Sequence, residues 1–148
     1  MKNLSKRNKG FTLIEILVVI GIIAILAAIV LIAINPARQF AQANNSQRNA
    51  NVNALLNAIG QYMADNKGDL PDVPDPGEVD EALCNDLVPT YIPAIPTDPK
   101  SNSDGASINT CADVDAGDVD YNTSVDADGR VTVSAPNAEL GATISVTR

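Results

Sequence analysis

Several residue types on which enzymes and metal centres depend are absent or scarce in this chain. It contains no histidine and no tryptophan, and aromatic residues make up 3% of it. Without histidine, the commonest general acid or base and the usual zinc and copper ligand is missing. The two cysteines, Cys84 and Cys111, form neither a Cys-x-x-Cys motif nor a four-ligand site. Composition therefore argues against an enzyme, and no cofactor is expected, apart from a calcium hypothesis developed below.

Positive charge is scarce beyond the N-terminal region. The formal net charge is −8, from 10 basic and 18 acidic residues. After residue 65 the chain offers only four basic side chains: Lys67, Lys100, Arg130 and Arg148. Nucleic-acid binding draws most of its affinity from Lys and Arg side chains that neutralise phosphates. Direct binding of nucleic acid is therefore not expected.

A long apolar segment near the N-terminus is the most informative feature that is present. Residues 11–34 include no Lys, Arg or Asp, and only Thr12, Glu15 and Gly21 interrupt the apolar run. Since about 20 apolar residues suffice to cross a bilayer core, we expect a membrane-spanning helix. An acidic side chain inside such a helix is costly in lipid and is functional by default. Glu15 is therefore a candidate functional residue.

A short basic leader precedes the apolar run. It carries four positive charges and no acid: Lys2, Lys6, Arg7 and Lys9. The positive-inside tendency keeps this leader in the cytoplasm and places the remainder outside. A secretory signal peptide would have a shorter apolar region, followed by a small-residue cleavage site, and fits poorly. An uncleaved single-pass anchor fits the length better but leaves Glu15 unexplained.

The junction between leader and apolar run resembles the class III signal of type IV prepilins and their relatives. The resemblance rests on Lys9-Gly10-Phe11-Thr12-Leu13-Ile14-Glu15, together with the basic leader and the apolar length. In that family a membrane peptidase cuts after the glycine and methylates the new N-terminal phenylalanine, and the subunit then polymerises. The resemblance implies cleavage between Gly10 and Phe11, N-methylation of Phe11, and neutralisation of a neighbouring subunit's N-terminus by Glu15.

The same resemblance implies partners, location and function. The partners would be identical subunits in a homopolymer, a prepilin peptidase, an inner-membrane assembly platform with its ATPase, and membrane lipid before assembly. The precursor would lie in the inner (cytoplasmic) membrane, and the assembled filament at the cell surface. The implied function is that of a structural subunit of a type IV pilus-like filament, for motility, adhesion or uptake. The alternatives are a major-type pseudopilin of a type II secretion system and a membrane-anchored binding module.

Beyond the apolar run, residues 35–66 are predicted to continue the helix. Proline removes a backbone donor and clashes with the preceding turn, so a kink or melted turn is expected at Pro36. An apolar stripe at helical spacing supports the helix: Phe40, Val52, Leu55, Leu56, Ile59, Tyr62 and Met63. The helix should stop near Gly68. Its many asparagines, between residues 44 and 57, are interpreted as solvated or subunit-facing surface.

The remaining chain is predicted to form an α+β head, in which a small antiparallel sheet packs on the exposed half of the long N-terminal helix. Seven prolines between residues 70 and 99 argue against regular sheet there, although a short helix at about 77–87 fits the pattern. Three alternating segments predict a meander of strands at 120–125, 130–134 and 142–147. The expected organisation is a leader (1–10), a membrane and assembly helix (11–34), its amphipathic continuation (35–66) and a head (67–148).

The connection before the last strands resembles a loop of pilins and major pseudopilins. A stretch containing Tyr91 leads to Pro96-Thr97-Asp98-Pro99, which matches their Pro-x-Asp-Pro turn. The aromatic-Gly pair that commonly follows in pseudopilins is replaced by Lys100-Ser101-Asn102. This departure, together with an expected disulfide, favours a pilin over a secretion pseudopilin.

Cys84 and Cys111 are expected to form that disulfide. They are the only cysteines, and both lie in the part of the chain predicted to be outside the membrane. On the loop-entropy model such a bridge stabilises the head by about 3 kcal/mol.

An acidic stretch between Asp113 and Asp128 raises a calcium hypothesis, because calcium takes six to eight oxygen ligands. The candidate ligands are Asp118, Asp120, Asp126 and Asp128. Residues 126–129 are only a fragment of the EF-hand pattern, since no Glu follows at the bidentate position. Some relatives among the pseudopilins bind calcium before their last strands. The alternative is a hairpin turn at Asp128-Gly129 with a solvated acidic surface, and both interpretations stay open.

Overall fold

The structure is a computed structural model that describes residues 10–114 and 117–148. The chain divides into two compact units, with the boundary between Gln39 and Phe40. The predicted leader, apart from Gly10, lies outside the described residues, as does Asp115 of the acidic stretch.

The first unit is built around α1, which spans Leu13–Ala33. Ile34, its C-cap, has extended backbone, and α2 begins at Pro36. Proline suits the first position of a helix, where its missing N–H would have had no partner. The side chain of Asn35 accepts a hydrogen bond from the backbone N–H of Arg38 at 3.3 Å, which caps the new helix. The predicted interruption at Pro36 is therefore confirmed, and it takes the form of a break between two helices.

Helix α2 spans Pro36–Asp65 and presents the predicted apolar stripe to the core of the second unit. Val52, Leu55, Leu56 and Ile59 are all buried. The placement of Phe40 in this stripe was wrong, because its side chain is 70% exposed and the covered side of that turn carries Ala41. The chain then leaves the helix through Lys67 and Gly68, whose φ angles of 60° and 96° lie in the left-handed region that glycine tolerates.

The sheet of the second unit has four antiparallel strands in the order β1-β2-β3-β4. They are β1 (Gly77–Glu78), β2 (Asn122–Val125), β3 (Val131–Ala135) and β4 (Ile144–Thr147). The three predicted strands are confirmed. The exclusion of sheet from the proline-rich region was wrong for β1, since two residues at the edge of a sheet need few ladder hydrogen bonds and the prolines lie outside them.

A short helix, α3, spans Glu81–Leu87 rather than starting at residue 77. Its N-cap is Asp80, whose carboxylate accepts a hydrogen bond from the N–H of Leu83 at 3.0 Å. Helix α3 buries Leu83, Cys84 and Leu87 in the same core as the α2 stripe. The inward residues of the sheet complete that core, which gives the predicted α+β layout.

The disulfide between Cys84 and Cys111 is present, with a Cα–Cα distance of 5.5 Å. It ties α3 to a single 3₁₀ turn at Cys111–Asp113, within a stretch that contains little regular structure. The bridge closes a loop with a sequence separation of 27 residues. It therefore adds a covalent restraint to the segment between α3 and β2, which backbone hydrogen bonds such as those between Ile95 and Ile108 also hold.

Candidate processing and assembly site

The start of α1 is closed by a reciprocal pair of side chains, Thr12 and Glu15. The hydroxyl of Thr12 accepts a hydrogen bond from the N–H of Glu15 at 3.3 Å, and Glu15 Oε2 accepts from the N–H of Thr12 at 2.7 Å. The Thr12 hydroxyl also donates to Glu15 Oε2 at 2.7 Å. This arrangement is a capping box, and it places the carboxylate at the positive end of the helix dipole. The Thr-x-x-Glu spacing ahead of an apolar run signals it in the sequence.

The side chains of α1 stay exposed in the part of the chain that the structure describes. None of the 21 residues of α1 is buried within the chain, and their mean hydropathy of 3.5 suits a membrane span. Phe11, directly ahead of the capping box, is 85% exposed. Among the described residues this is the one helix long and apolar enough to cross a membrane. An apolar surface of this extent needs lipid or other subunits to cover it.

Comparison with known proteins bears on this same segment. The family model of the prokaryotic N-terminal methylation motif matches residues 5–31. This match supports a class III signal of the type IV pilin and pseudopilin kind in this segment. No curated protein and no solved structure matches the chain. The class III signal and the apolar helix behind it support membrane anchoring of the precursor.

The residues named for processing and assembly lie together around the class III signal. Gly10 and Phe11 are exposed and precede the capping box, and Glu15 lies in the first turn of α1. A peptidase acting between Gly10 and Phe11 would therefore meet an accessible junction. The roles of these three residues stay predictions.

The four candidate calcium ligands do not converge on one point in the described residues, where no group of three metal-binding side chains is arranged to hold an ion. The Asp126 carboxylate instead accepts from the backbone of Asp128 and from Arg130 Nε at 2.8 Å. Hydrogen bonds from Arg130 lower the pKa of Asp126, as expected for a turn-closing carboxylate. Burial raises the pKa of Asp120. This residue lies in a different loop, where its backbone N–H donates to Glu78 Oε1 at 2.8 Å. Calcium binding by Asp118, Asp120, Asp126 and Asp128 stays a prediction.

The second unit contains a buried ion pair that sequence reasoning missed. Arg48 of α2 and Asp98 of the Pro-x-Asp-Pro turn are both completely buried. Arg48 Nε donates to Asp98 Oδ2 at 2.6 Å, and its Nη2 donates to Asp98 Oδ1 at 2.9 Å. Such a bidentate pair is strong and directional. Arg48, one of two arginines in a polar helix, and an aspartate between prolines gave no periodic signal for it.

Glu139, in the connection between β3 and β4, extends this pair into a network. Its Oε2 accepts from Arg48 Nη1 and from Asn44 Nδ2, both at 2.9 Å, while Oε1 accepts from Lys100 Nζ at 2.5 Å. Hydrogen bonds from Lys100, Asn44 and Arg48 lower the pKa of Glu139 to about 2. The network therefore joins three segments that are far apart in the chain.

The asparagines of α2 take part in these contacts, which corrects their interpretation as surface. Asn51 is buried, and its Nδ2 donates to the carbonyl of Thr97 at 3.0 Å and to the hydroxyl of Tyr121 at 2.8 Å. Asn45 Nδ2 donates to the carbonyl of Glu139 at 2.8 Å. Asn49 is exposed and Asn53 is half-buried, and their side-chain amides donate to carbonyls of their own helix. Burial raises the pKa of Tyr121 to about 12, so it stays a neutral partner.

Replacing Arg48 should destabilise the head far more than replacing Lys100. Arg48→Met leaves the buried Asp98 carboxylate unpaired, which costs about 3–5 kcal/mol. Lys100→Met removes only a pair whose lysine is 58% exposed, worth about 0–1 kcal/mol. Denaturant unfolding of the two variants and the parent measures both values. Equal losses in the two variants would contradict a structural role for the buried pair.

Acid should weaken the contribution of Glu139. Its folded-state pKa lies below the ordinary value, so the stabilisation is complete above about pH 4.5 and is lost as the pH falls towards 2. Glu139→Gln should therefore be less stable than the parent at pH 7, and the gap should shrink steadily between pH 4.5 and 2.5. Unfolding curves at several pH values measure the gap. A gap that stays constant over this range would refute the assignment.

Proposed function

We propose that the protein is a structural subunit of a type IV pilus-like surface filament that polymerises through α1. The observation that carries the proposal is the methylation motif joined to a helix whose apolar side chains are left exposed by the residues that the structure describes. The methylation motif belongs to structural proteins, and the role proposed here is likewise not catalytic. The folded, disulfide-bonded head would be the part of each subunit that such a filament displays outside the membrane.

The geometry around Glu15 supports a role in joining subunits. Its Oε2 is taken by the backbone and hydroxyl of Thr12, whereas Oε1 has no hydrogen bond to any residue that the structure describes. Cleavage between Gly10 and Phe11 would create a positive amine at Phe11. A neighbouring subunit's amine that approaches the free oxygen would neutralise an acid that is costly in lipid, while the surrounding apolar side chains pack together. Charge pairing would then set the register of each added subunit.

The proposed partners follow from cleavage of the leader and polymerisation through α1. They are identical subunits, a prepilin peptidase, an inner-membrane assembly platform with its ATPase, and lipid around the precursor. The precursor would lie in the inner membrane and the filament at the cell surface. Nucleic acid is not proposed as a direct ligand, because the head is acidic and has few basic side chains.

A pseudopilin of a type II secretion system is the second candidate, because the methylation motif is shared and Pro96-Thr97-Asp98-Pro99 occurs in both groups. Lys100-Ser101-Asn102, in place of an aromatic-Gly pair, and the disulfide favour the pilus subunit. Deleting the protein distinguishes the two, since loss of surface filaments with normal protein secretion supports the pilus. Normal filaments with secreted proteins trapped in the cell would support the pseudopilin.

Processing should yield a mature chain that begins at Phe11 and carries one N-terminal methyl group. The reason is the accessible Gly10-Phe11 junction behind the basic leader. Intact-mass measurement of protein from its own cells should show loss of residues 1–10 and a gain of one methyl. Gly10→Val, which makes the residue before the cut bulky, should retain the leader. A mature protein that keeps residues 1–10 would overturn the proposal.

Glu15→Ala should block assembly without blocking processing. The cleavage junction is untouched, but the carboxylate that would neutralise the neighbour's amine is gone, so filament yield should fall at least about tenfold. Thr12→Val is the matched control, because it removes the hydroxyl of the capping box and keeps the carboxylate. Filaments sheared from cells and quantified by immunoblot measure the effect. Normal filaments from Glu15→Ala would mean that apolar packing alone sets assembly.

A further inference from the structure

On its three longer strands, β2, β3 and β4, the outer face of the sheet consists of short, uncharged polar side chains. Strand β3 buries alternate residues, Val131, Val133 and Ala135, against the core. The residues between them, and their register partners on β2 and β4, point the other way: Asn122, Ser124, Thr132, Ser134, Ser145 and Thr147. On β2, β3 and β4 this face carries neither a charge nor a large apolar side chain, whereas on β1 Glu78, the register partner of Asn122, adds one carboxylate. It is therefore open to a bulky polar group that lies over it.

Asn122, on this face, begins the sequence Asn122-Thr123-Ser124. An Asn-x-Ser/Thr triplet without proline in the middle is the acceptor pattern for N-linked glycans. Asn122 is exposed, and its side-chain amide makes no hydrogen bond within residues 10–114 and 117–148. Ser124 lies on the same face, while Thr123 points inward and its hydroxyl donates to the carbonyl of Pro74 at 2.7 Å.

Two other asparagines in the mature region begin comparable triplets, and both are less suitable. Asn44 starts Asn-Asn-Ser, but it lies within α2 and its amide nitrogen donates to Glu139. Asn109 starts Asn-Thr-Cys, but Cys111 at the third position is bonded to Cys84 in the disulfide. Asn122 is therefore the one with both a free amide and a hydroxyl residue at the third position.

We propose that Asn122 is an N-glycosylation site. The co-reactant is a glycan linked to a polyisoprenoid diphosphate, and a membrane oligosaccharyltransferase catalyses the transfer. Asn122 Nδ2 forms a bond to the anomeric carbon of the glycan, and the bond from that carbon to the diphosphate oxygen breaks. The lipid diphosphate leaves with the electron pair, and the amide proton passes to a base of the transferase. This proposal rests on the proposed function, because the head must be outside the membrane to meet the enzyme.

Strand geometry determines when the transfer occurs. Asn122 pairs with Glu78 of β1 and with Ser134 of β3, so β2 is held on both sides in the folded head. A transferase needs access to the extended triplet and therefore acts during export, before β2 pairs. Once the head folds, the glycan lies over small hydroxyl side chains and leaves the buried residues of the core undisturbed.

The test is peptide mapping of the protein purified from its own cells. After reduction, alkylation and trypsin digestion, residues 101–130 form one peptide that contains both Asn109 and Asn122. We expect this peptide to carry a glycan mass that fragmentation places on Asn122. Asn122→Gln and Ser124→Ala should each abolish it, whereas Ser124→Thr and Asn109→Gln should retain it. Because Ser124→Ala keeps the asparagine, it separates triplet recognition from loss of the acceptor.

The presence or absence of residues 1–10 in the same sample tests the proposed function separately. A chain that has lost residues 1–10 but has an unmodified 101–130 peptide overturns the glycosylation proposal and leaves the filament proposal standing. A chain that keeps its leader and is unmodified counts against both. A glycan on Asn109, or one that survives Ser124→Ala, also overturns the assignment to Asn122.

Discussion

The second unit depends on one buried ion pair, between Arg48 and Asp98. Two charges without exposure to water are tolerated only when they are paired and hydrogen-bonded, and the guanidinium meets this condition with both oxygens of Asp98 and with Glu139. The pair fixes the Pro-x-Asp-Pro turn against the middle of α2. Because either partner alone would be a buried unpaired charge, the turn and the helix have little freedom to shift past one another.

Other polar contacts of α2 are arranged around this pair. Asn51, less than a turn further along, holds the carbonyl of Thr97 and the hydroxyl of Tyr121. Asn44 and Asn45 hold Glu139 in the connection between the last two strands. Helix α2 thus contacts the rest of the second unit through these polar residues as well as through its apolar stripe. The stripe supplies most of the burial, while directional hydrogen bonds determine which segment lies where.

Helix α1 is the opposite case, since no side chain of it is buried within the chain. The head, in contrast, has its own apolar core, its disulfide and its polar network. In the proposed filament, α1 would be covered by lipid first and then by other subunits, and Thr12 bonds only one carboxylate oxygen of the acid in its first turn. A head with its own core, attached to a helix whose apolar side chains stay exposed, is the physical basis of the proposed filament, in which assembly would cover the apolar surface of α1.

The sequence alone determined what depends on local pattern: the apolar span, the break at Pro36, the stripe from Val52 to Ile59, and three strands with their turn. Composition and the two cysteines sufficed for the disulfide. The tertiary structure decided the pairing of Arg48 with Asp98 and Glu139, the burial of Asn51 and the exposure of Phe40. It also decided strand β1, whose two residues carry no periodicity. Those features depend on which distant segments meet, and a charge or an amide in the sequence does not reveal whether its partner will be water or a residue about 50 positions away.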